Sequence, residues 1–446
     1  MSIRKRYAVL ALLAAAILAV LSVWLREGNG AGASQRPYQG KTLQAWFNQL
    51  QGSQGDAVVA TFREIGTDAV VFLGAQSRKH DWVLKRGYIT LWPKLPAFLK
   101  SKLKQPTNAV PIRVKALGAL RRMRPGFTKS EPGMTILIEA LNDPSEEVRS
   151  IAEGALGDIG PEAAAAVHAL IRSVERGGFS INGIWALGRI GPEAKPAGPL
   201  LKAIVRRKTG RQLVYAAEAL WRIEQSNTMS IPAIIKGLGD SDRQTRAEAA
   251  EALRQIGEPA KCAVAALTEA LRDSEQRVRL NAARALVEIG AEGNDAVEML
   301  SGILNASNSS GWDGVMAAES LLKRNPDSDD VIAFLRQVVQ GERVPVGNRF
   351  PFGFYDRSVR VRAAAILGRT SREIELVISV LSEAVIYGEL TLKEMAIPAL
   401  GQQGSKAKAA FPRLDVAARS NDREVRKAAE DALRRIAGNE PSTTKE

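Results

Sequence analysis

The feature that most constrains this chain is a repeat. The stretches "DSEQRVRLNAARALVEIG" (Asp273 to Gly290) and "DPSEEVRSIAEGALGDIG" (Asp143 to Gly160) share Asp, Val-Arg, Ala, Ala-Leu and Ile-Gly at the same offsets. Aligned on the leucine of Ala-Leu or its equivalent, the units fall at Leu156, Leu187, Leu220, Leu253, Leu286, Leu322, Leu367, Leu400 and Leu433, at intervals of 31, 33, 33, 33, 36, 45, 33 and 33 residues. A sequence with so regular a period stacks copies of one small unit rather than closing a single core. Weaker units trace upstream through Leu120, Leu91 and Phe62, where "FREIGTDAV" keeps the Ile-Gly-x-x-Ala turn, so about 12 units fill the chain after residue 55.

Within one unit, Val278, Ala282, Ala285, Leu286 and Ile289 lie on one face of an α-helix. Gly290 then ends that helix in a left-handed conformation, as Gly160, Gly191 and Gly257 do in their units. Pro161 and Pro192 follow directly, where a fixed φ suits the first turn of the next helix. Val297, Leu300, Ile303 and Leu304 mark that second helix. Composition agrees: 45% apolar residues with only 5% aromatic suits closely packed helices rich in alanine.

An arginine one position after the first core residue or its equivalent recurs as Arg149, Arg246, Arg279, Arg360 and Arg426. Asp143, Asp273 and Asn421 precede their helices as expected N-caps, with Glu146, Gln276 and Glu424 three residues later in a capping-box arrangement. Arginines repeating beside acidic residues predict a ladder of hydrogen bonds between stacked units, a row of anion-binding arginines being the alternative.

The pattern "DxxxxVRxxAxxALxxIG" with its Pro or Ala turn resembles the short bacterial HEAT repeat, the type also found in phycobilin lyases, over residues 56–438. The segment "YQGKTLQAWFNQL" (Tyr38 to Leu50) is similar to a lead-in seen before HEAT arrays in exported bacterial proteins. The resemblance implies an all-α fold, a right-handed α-solenoid of about 12 HEAT-like helix pairs. It transfers no bilin-binding residue, because the repeats alone carry it.

Catalytic chemistry finds little purchase, and no cofactor is expected. Deoxyhypusine hydroxylases share the helix-pair array and hold iron with His-Glu dipeptides, whereas the histidines here are His80 before Asp81 and His168 before Ala169. Two histidines so placed give no metal site at helical spacing. Cys262 reads as a small buried side chain, and His168 as an ordinary helix-face residue. Neither a G-x-S-x-G elbow nor a G-x-x-x-x-G-K-[ST] phosphate loop occurs. Glu248 and Glu251 read as solvated surface charge.

At the N-terminus, Arg4, Lys5 and Arg6 precede an uncharged apolar run of 19 residues from Tyr7 to Leu25. That approaches the roughly 20 residues a helix needs to cross a bilayer. The expectation is an inner-membrane anchor with the repeats in the periplasm, cleavage near Ala33 being the alternative. The expected organisation is a basic flank (1–6), the anchor (7–25), a linker and lead-in helix (26–55), the repeats (56–438) and a polar tail (439–446).

Binding has two candidates. From Arg78 to Lys129, 14 lysines and arginines face one acid, which accounts for nearly all of the net charge of +14. Lys85, Arg86, Lys94, Lys100, Lys102, Lys104, Arg121, Arg122 and Arg124, interleaved with Trp82, Tyr88, Trp92 and Phe98, suit an anionic membrane surface or envelope polymer, with nucleic acid disfavoured by the export topology. An aromatic core with a solvated basic face would give the same pattern. The second candidate is the insertion that lengthens the interval after Leu322, where Arg349, Phe350, Phe352, Phe354 and Tyr355 could contact a partner or fold back on their own helices. The function expected is that of a non-enzymatic scaffold for an unknown protein partner, engaged through the second-helix face. The alternative is a binder of anionic surfaces.

Overall fold

The computed structural model describes residues 37–50, 55–79, 89–96, 100, 108–123, 130–305, 311–341, 354–370, 372–420 and 422–438. Every regular element among them is helical, apart from an isolated bridge between Tyr38 and Lys41. The chain divides into two compact units, Met1–Glu193 and Ala194–Glu446.

Unit 1 holds a short lead-in helix α1 (Leu43–Asn48), then α2 (Gly55–Ile65) with α3 (Thr67–Ser77), α4 (Val110–Met123) with α5 (Glu131–Ala140), α6 (Glu146–Ile159) with α7 (Val167–Arg176), and α8 (Ile181–Ile190). Unit 2 begins with α9 (Gly198–Arg207). Helix pairs follow: α10 (Gly210–Glu224) with α11 (Asn227–Leu238), α12 (Arg243–Ile256) with α13 (Val264–Ala270), and α14 (Gln276–Ile289) with α15 (Asp295–Asn305). Next come α16 (Gly311–Arg324) with α17 (Asp329–Gln340), α18 (Phe354–Leu367) with α19 (Ile374–Tyr387), α20 (Leu390–Gln402) with α21 (Phe411–Ala418), and α22 (Arg423–Ala437). Among these described residues no helix is long and apolar enough to cross a membrane. The apolar run 7–25 lies outside the described residues.

The predicted core stripe is buried as expected: Val278, Ala282, Ala285, Leu286 and Ile289 all face inward, with Leu300, Ile303 and Leu304 of the second helix behind them. In unit 2 one continuous set of buried side chains runs from Val214 to Ile436. First helices pack directly on one another in sequence, α10 on α12, α12 on α14, and so on to α22. Small residues permit this approach. At Gly401 of α20, an added Cβ would come within 3.1 Å of the Ala432 Cα of α22.

The turn between the two helices of a pair departs from expectation. Gly290 does end its helix in the left-handed conformation, at φ 78° and ψ 34°. Gly160, Gly191 and Gly257 instead combine a φ of 72° to 76° with a ψ near −140°, a region closed to residues bearing a Cβ. The chain then enters a tight 3₁₀ turn, at Gly160–Ala166, Gly191–Ala197 and Glu258–Ala263, before the second helix begins. Pro161 and Pro192 therefore open this turn rather than the second helix. Alanines of each turn face inward, Ala163 and Ala166 in one and Ala260 and Ala263 in another. Between those last two sits Cys262, which is exposed, contrary to the buried placement expected of it. The turn directs two alanines three residues apart inward and leaves the side chains between them in solvent.

The lead-in segment closes the start of unit 1. Thr42 Oγ1 caps α1 by accepting from Ala45 N, and Trp46 Nε1 donates to the Tyr38 carbonyl at 3.1 Å. Phe47 is buried edge-on against Phe72 of α3, with ring centres 5.8 Å apart. Its other side is covered by Lys115 Nζ, 4.7 Å from the ring centre, whose pKa burial pushes below the usual lysine range.

Candidate functional site

Of the five arginines expected to form a ladder, Arg246 alone makes a rung to a carboxylate of the next repeat among the described residues. Arg246 at the start of α12 donates from Nε and Nη2 to both carboxylate oxygens of Asp273 in the next repeat, at 2.7 and 3.0 Å. The same guanidinium donates from Nη1 to the Asp240 and Ser241 carbonyls of its own turn. It therefore closes the end of one helix and grips the next repeat at once. The Arg246 hydrogen bonds hold the Asp273 carboxyl below the usual carboxylate range. Unit 1 contains an equivalent rung that the alignment missed. Arg113 Nη2 donates to Asp143 Oδ1 at 2.9 Å and Nη1 to the Lys79 carbonyl at 3.1 Å, with the Arg113 and Asp143 side chains 4% and 5% exposed. Arg113 Nε lies 2.9 Å from Oδ2 as an ion contact, without the alignment of a hydrogen bond.

Asp143 and Asp273 are accordingly not the N-caps expected. The caps are Ser145 and Glu275, neither making a side-chain capping bond, so the expected capping boxes with Glu146 and Gln276 do not form. Each aspartate lies two residues earlier and accepts from the backbone N–H of the cap residue, which orients the carboxylate toward the arginine of the preceding repeat. At α22 the cap is Asp422, accepting from Glu424 N and Val425 N; Asn421 lies outside the described residues. Among the described residues the remaining arginines of the series reach backbone carbonyls: Arg149 those of Asp143 and Pro144, Arg279 those of Asp273 and Ser274, Arg426 that of Ser420 and Arg360 that of Val339. A forward rung needs an aspartate in the next repeat. "RGGFSINGIWALG" after Arg149 offers none.

Of the basic segment, Lys85, Arg86, Lys102, Lys104 and Arg124 lie outside the described residues, as do Trp82, Tyr88 and Phe98. The described cations are partly engaged within unit 1. Arg78 pairs with Glu139 and Arg121 with Asp158, each at 2.6 Å, and Arg113 is buried in its rung. Lys100 Nζ donates to the Pro93 carbonyl, Arg122 Nε to that of Gly118, and Lys94 is exposed. Of the loop residues, Arg349, Phe350 and Phe352 lie outside the described residues, and so do the side chains of Phe354 and Tyr355.

The richest polar constellation among the described residues lies on the first helices of unit 2. On α10, Glu218 accepts from Arg222, which also reaches Gln255 of α12. On α12, Arg254 donates to both oxygens of Glu251 at 2.9 and 2.7 Å, and Gln255 donates to the same carboxylate at 3.0 Å. Arg284 of α14 lies beside them. Glu288 of α14 pairs with Lys323 of α16. Glu319 of α16 accepts from Arg362 of α18 at 3.0 and 2.8 Å and from Arg369 just beyond it at 3.1 Å. Five consecutive first helices thus carry one charged strip. Burial pushes the carboxyls of Glu251 and Glu319 up, but hydrogen bonds from Arg254 and Gln255 to the first, and from Arg362 to the second, outweigh it and leave both below their ordinary range.

The expectation of solvated charge at Glu248 and Glu251 is corrected by the same geometry. Glu248 takes two hydrogen bonds from Arg211 Nε, at 3.0 and 2.9 Å, so both carboxylates are half-buried and paired. The strip left a trace in the alignment. Glu218, Glu251 and Arg284 all stand two residues before the repeat leucine, 33 residues apart. A charge recurring beside the core stripe marks a helix flank where charges of neighbouring repeats meet.

Chemically the strip can bind and orient charged groups. Among the described residues no three His, Cys, Asp or Glu side chains converge where an ion could sit. His168 is exposed on α7.

Residues 231–311 match the family model for HEAT repeats, and this stretch carries HEAT repeats. No curated protein matches the chain. Among solved structures, the chain is similar to one from the complex of CpcE and CpcF of phycocyanin lyase from Nostoc sp. PCC7120, at 20% identity and a TM-score of 0.37, over 61% of this chain and 97% of that one. It is also similar to human deoxyhypusine hydroxylase in complex with glycerol, at 16% identity and a TM-score of 0.26, over 79% of this chain and 99% of that one.

Proposed function

We propose that this chain is a non-enzymatic HEAT-repeat scaffold that holds a protein partner at the bacterial cell envelope, tethered through the apolar run 7–25. The observation that carries the proposal is the row of first helices in unit 2, which includes the HEAT repeats of residues 231–311 and presents one charged strip over five consecutive helices. A face built from many repeats offers an extended partner many weak contacts in register. The anchor rests on the length of the apolar run and its basic flank, and the periplasmic placement on the same flank. The strip sits on the first helices, so the binding face proposed is theirs rather than the second-helix face.

The test is a cross-linked pull-down from intact cells, native chain against one with Lys85, Arg86, Lys94, Lys102, Lys104 and Arg124 replaced by glutamine. Arg78, Arg113 and Arg121 are left alone because unit 1 uses them internally. A defined protein captured equally by both chains supports the scaffold. Loss of capture together with loss of envelope association assigns the protein to anionic-surface binding and rejects the scaffold.

A further inference from the structure

One buried charge in the strip is only loosely paired. The Arg284 side chain on α14 is 5% exposed, and its nearest carboxylate oxygen, Glu251 Oε2, lies 3.6 Å from Nη1, beyond hydrogen-bond length. Its Nε is sealed from solvent with no acceptor. Arg362 Nε, in the same cluster, is likewise buried without an acceptor. Both nearby carboxylates are already engaged, Glu251 by Arg254 and Gln255, and Glu319 by Arg362 and Arg369. Four guanidinium groups therefore share two carboxylates. Glu288, which also faces Arg254, is itself paired with Lys323.

An unsatisfied buried donor is costly, and an arginine is costlier than a neutral group. Packing does not require a charge here, since a straight apolar side chain would fill a similar volume. Resting on the scaffold reading, we propose that Arg284, with Arg254 and Arg362, forms a receptor for a carboxylate on an acidic segment of the partner. The planar guanidinium offers paired N–H donors at the spacing of carboxylate oxygens, which makes the third carboxylate the natural complement of this cluster. Glu251 and Glu319 hold the two outer arginines in place and leave the inner one without a short hydrogen bond to a carboxylate.

The experiment uses the full chain in mild detergent and a fluorescein-labelled ten-residue glutamate-rich peptide followed by anisotropy. Arg284→Met and Arg362→Gln each weaken binding about tenfold or more, the scale of a lost charge-assisted hydrogen bond. Arg206→Gln, an exposed arginine on α9, leaves binding unchanged. Inorganic phosphate displaces the peptide no better than chloride at equal ionic strength, and Arg284→Met melts at the same temperature as the native chain or higher.

The proposal is overturned if the peptide does not bind, or if neither variant weakens it. Preferential displacement by phosphate overturns it as well, by making the site one for free anions. A fall in melting temperature on Arg284→Met would assign the arginine a structural role instead. In the pull-down, Arg284→Met that still captures the native partner rejects this receptor and leaves the scaffold standing, whereas a native chain that captures no protein rejects the scaffold itself.

Discussion

Each unit buries an arginine deeply, and the two are treated in opposite ways. In unit 1, Arg113 meets Asp143 at 2.9 Å and a backbone carbonyl at 3.1 Å, so its charge is matched and its donors are largely used. In unit 2, Arg284 is buried to the same degree, but its Nε has no acceptor, its ion pair with Glu251 is stretched to 3.6 Å and two further arginines lie nearby. A buried, fully paired arginine holds repeats together, because removing either partner strands the other charge in a low-dielectric interior. A buried, poorly matched one adds little to the fold that contains it or weakens it. The contrast separates structure from function within a single architecture.

The largest test strikes the closed rung. Asp143→Asn leaves Arg113 charged and buried, and a loss of about 3–5 kcal/mol is expected in urea unfolding followed by circular dichroism. A loss below about 1 kcal/mol would mean that the rung is no different from a surface pair. Arg246→Ala breaks a rung of the same design that is only half-buried, so about 1.5–3 kcal/mol should go. Acid comes next. Asp273, Glu251 and Glu319 have carboxyls held below their ordinary range, so the stability they confer is present above the unfolded value of about 4 and is lost as pH falls through their lower folded values. The protection of unit 2 amides against hydrogen exchange, relative to the intrinsic rate at each pH, should fall below about pH 4, and protection unaltered down to about pH 2 would contradict the pairing.

Smaller effects sharpen the contrast. Arg284→Met should leave stability within about 1 kcal/mol of native, or raise it, because an apolar side chain replaces an unmatched charge. A loss equal to that of Asp143→Asn would erase the distinction between the two arginines. Smallest of all, Cys262→Ser should change stability by less than about 0.5 kcal/mol. The native thiol should react with an aromatic disulfide as fast as in the unfolded chain, and protection would place it back in the interior.

Periodicity alone determined the helix pairs, their core faces and the HEAT character of the repeats, because burial imposes the same apolar spacing on every copy. It could not tell a first-helix terminus from a 3₁₀ turn at Gly160, Gly191 and Gly257, since both conformations favour glycine and differ only in ψ. The exposure of Cys262 escaped for the same reason, because a tight turn reverses which side chains face inward. The tertiary structure also decided which charges meet. Asp143 and Asp273 looked like caps from their position before a helix, yet their carboxylates turn toward the previous repeat. Glu251 looked like a solvated surface charge, until stacking brought its helix against the one that carries Arg284. Local pattern fixes what a residue does within its own helix; which charges are matched across repeats depends on side chains that neighbours in sequence never touch.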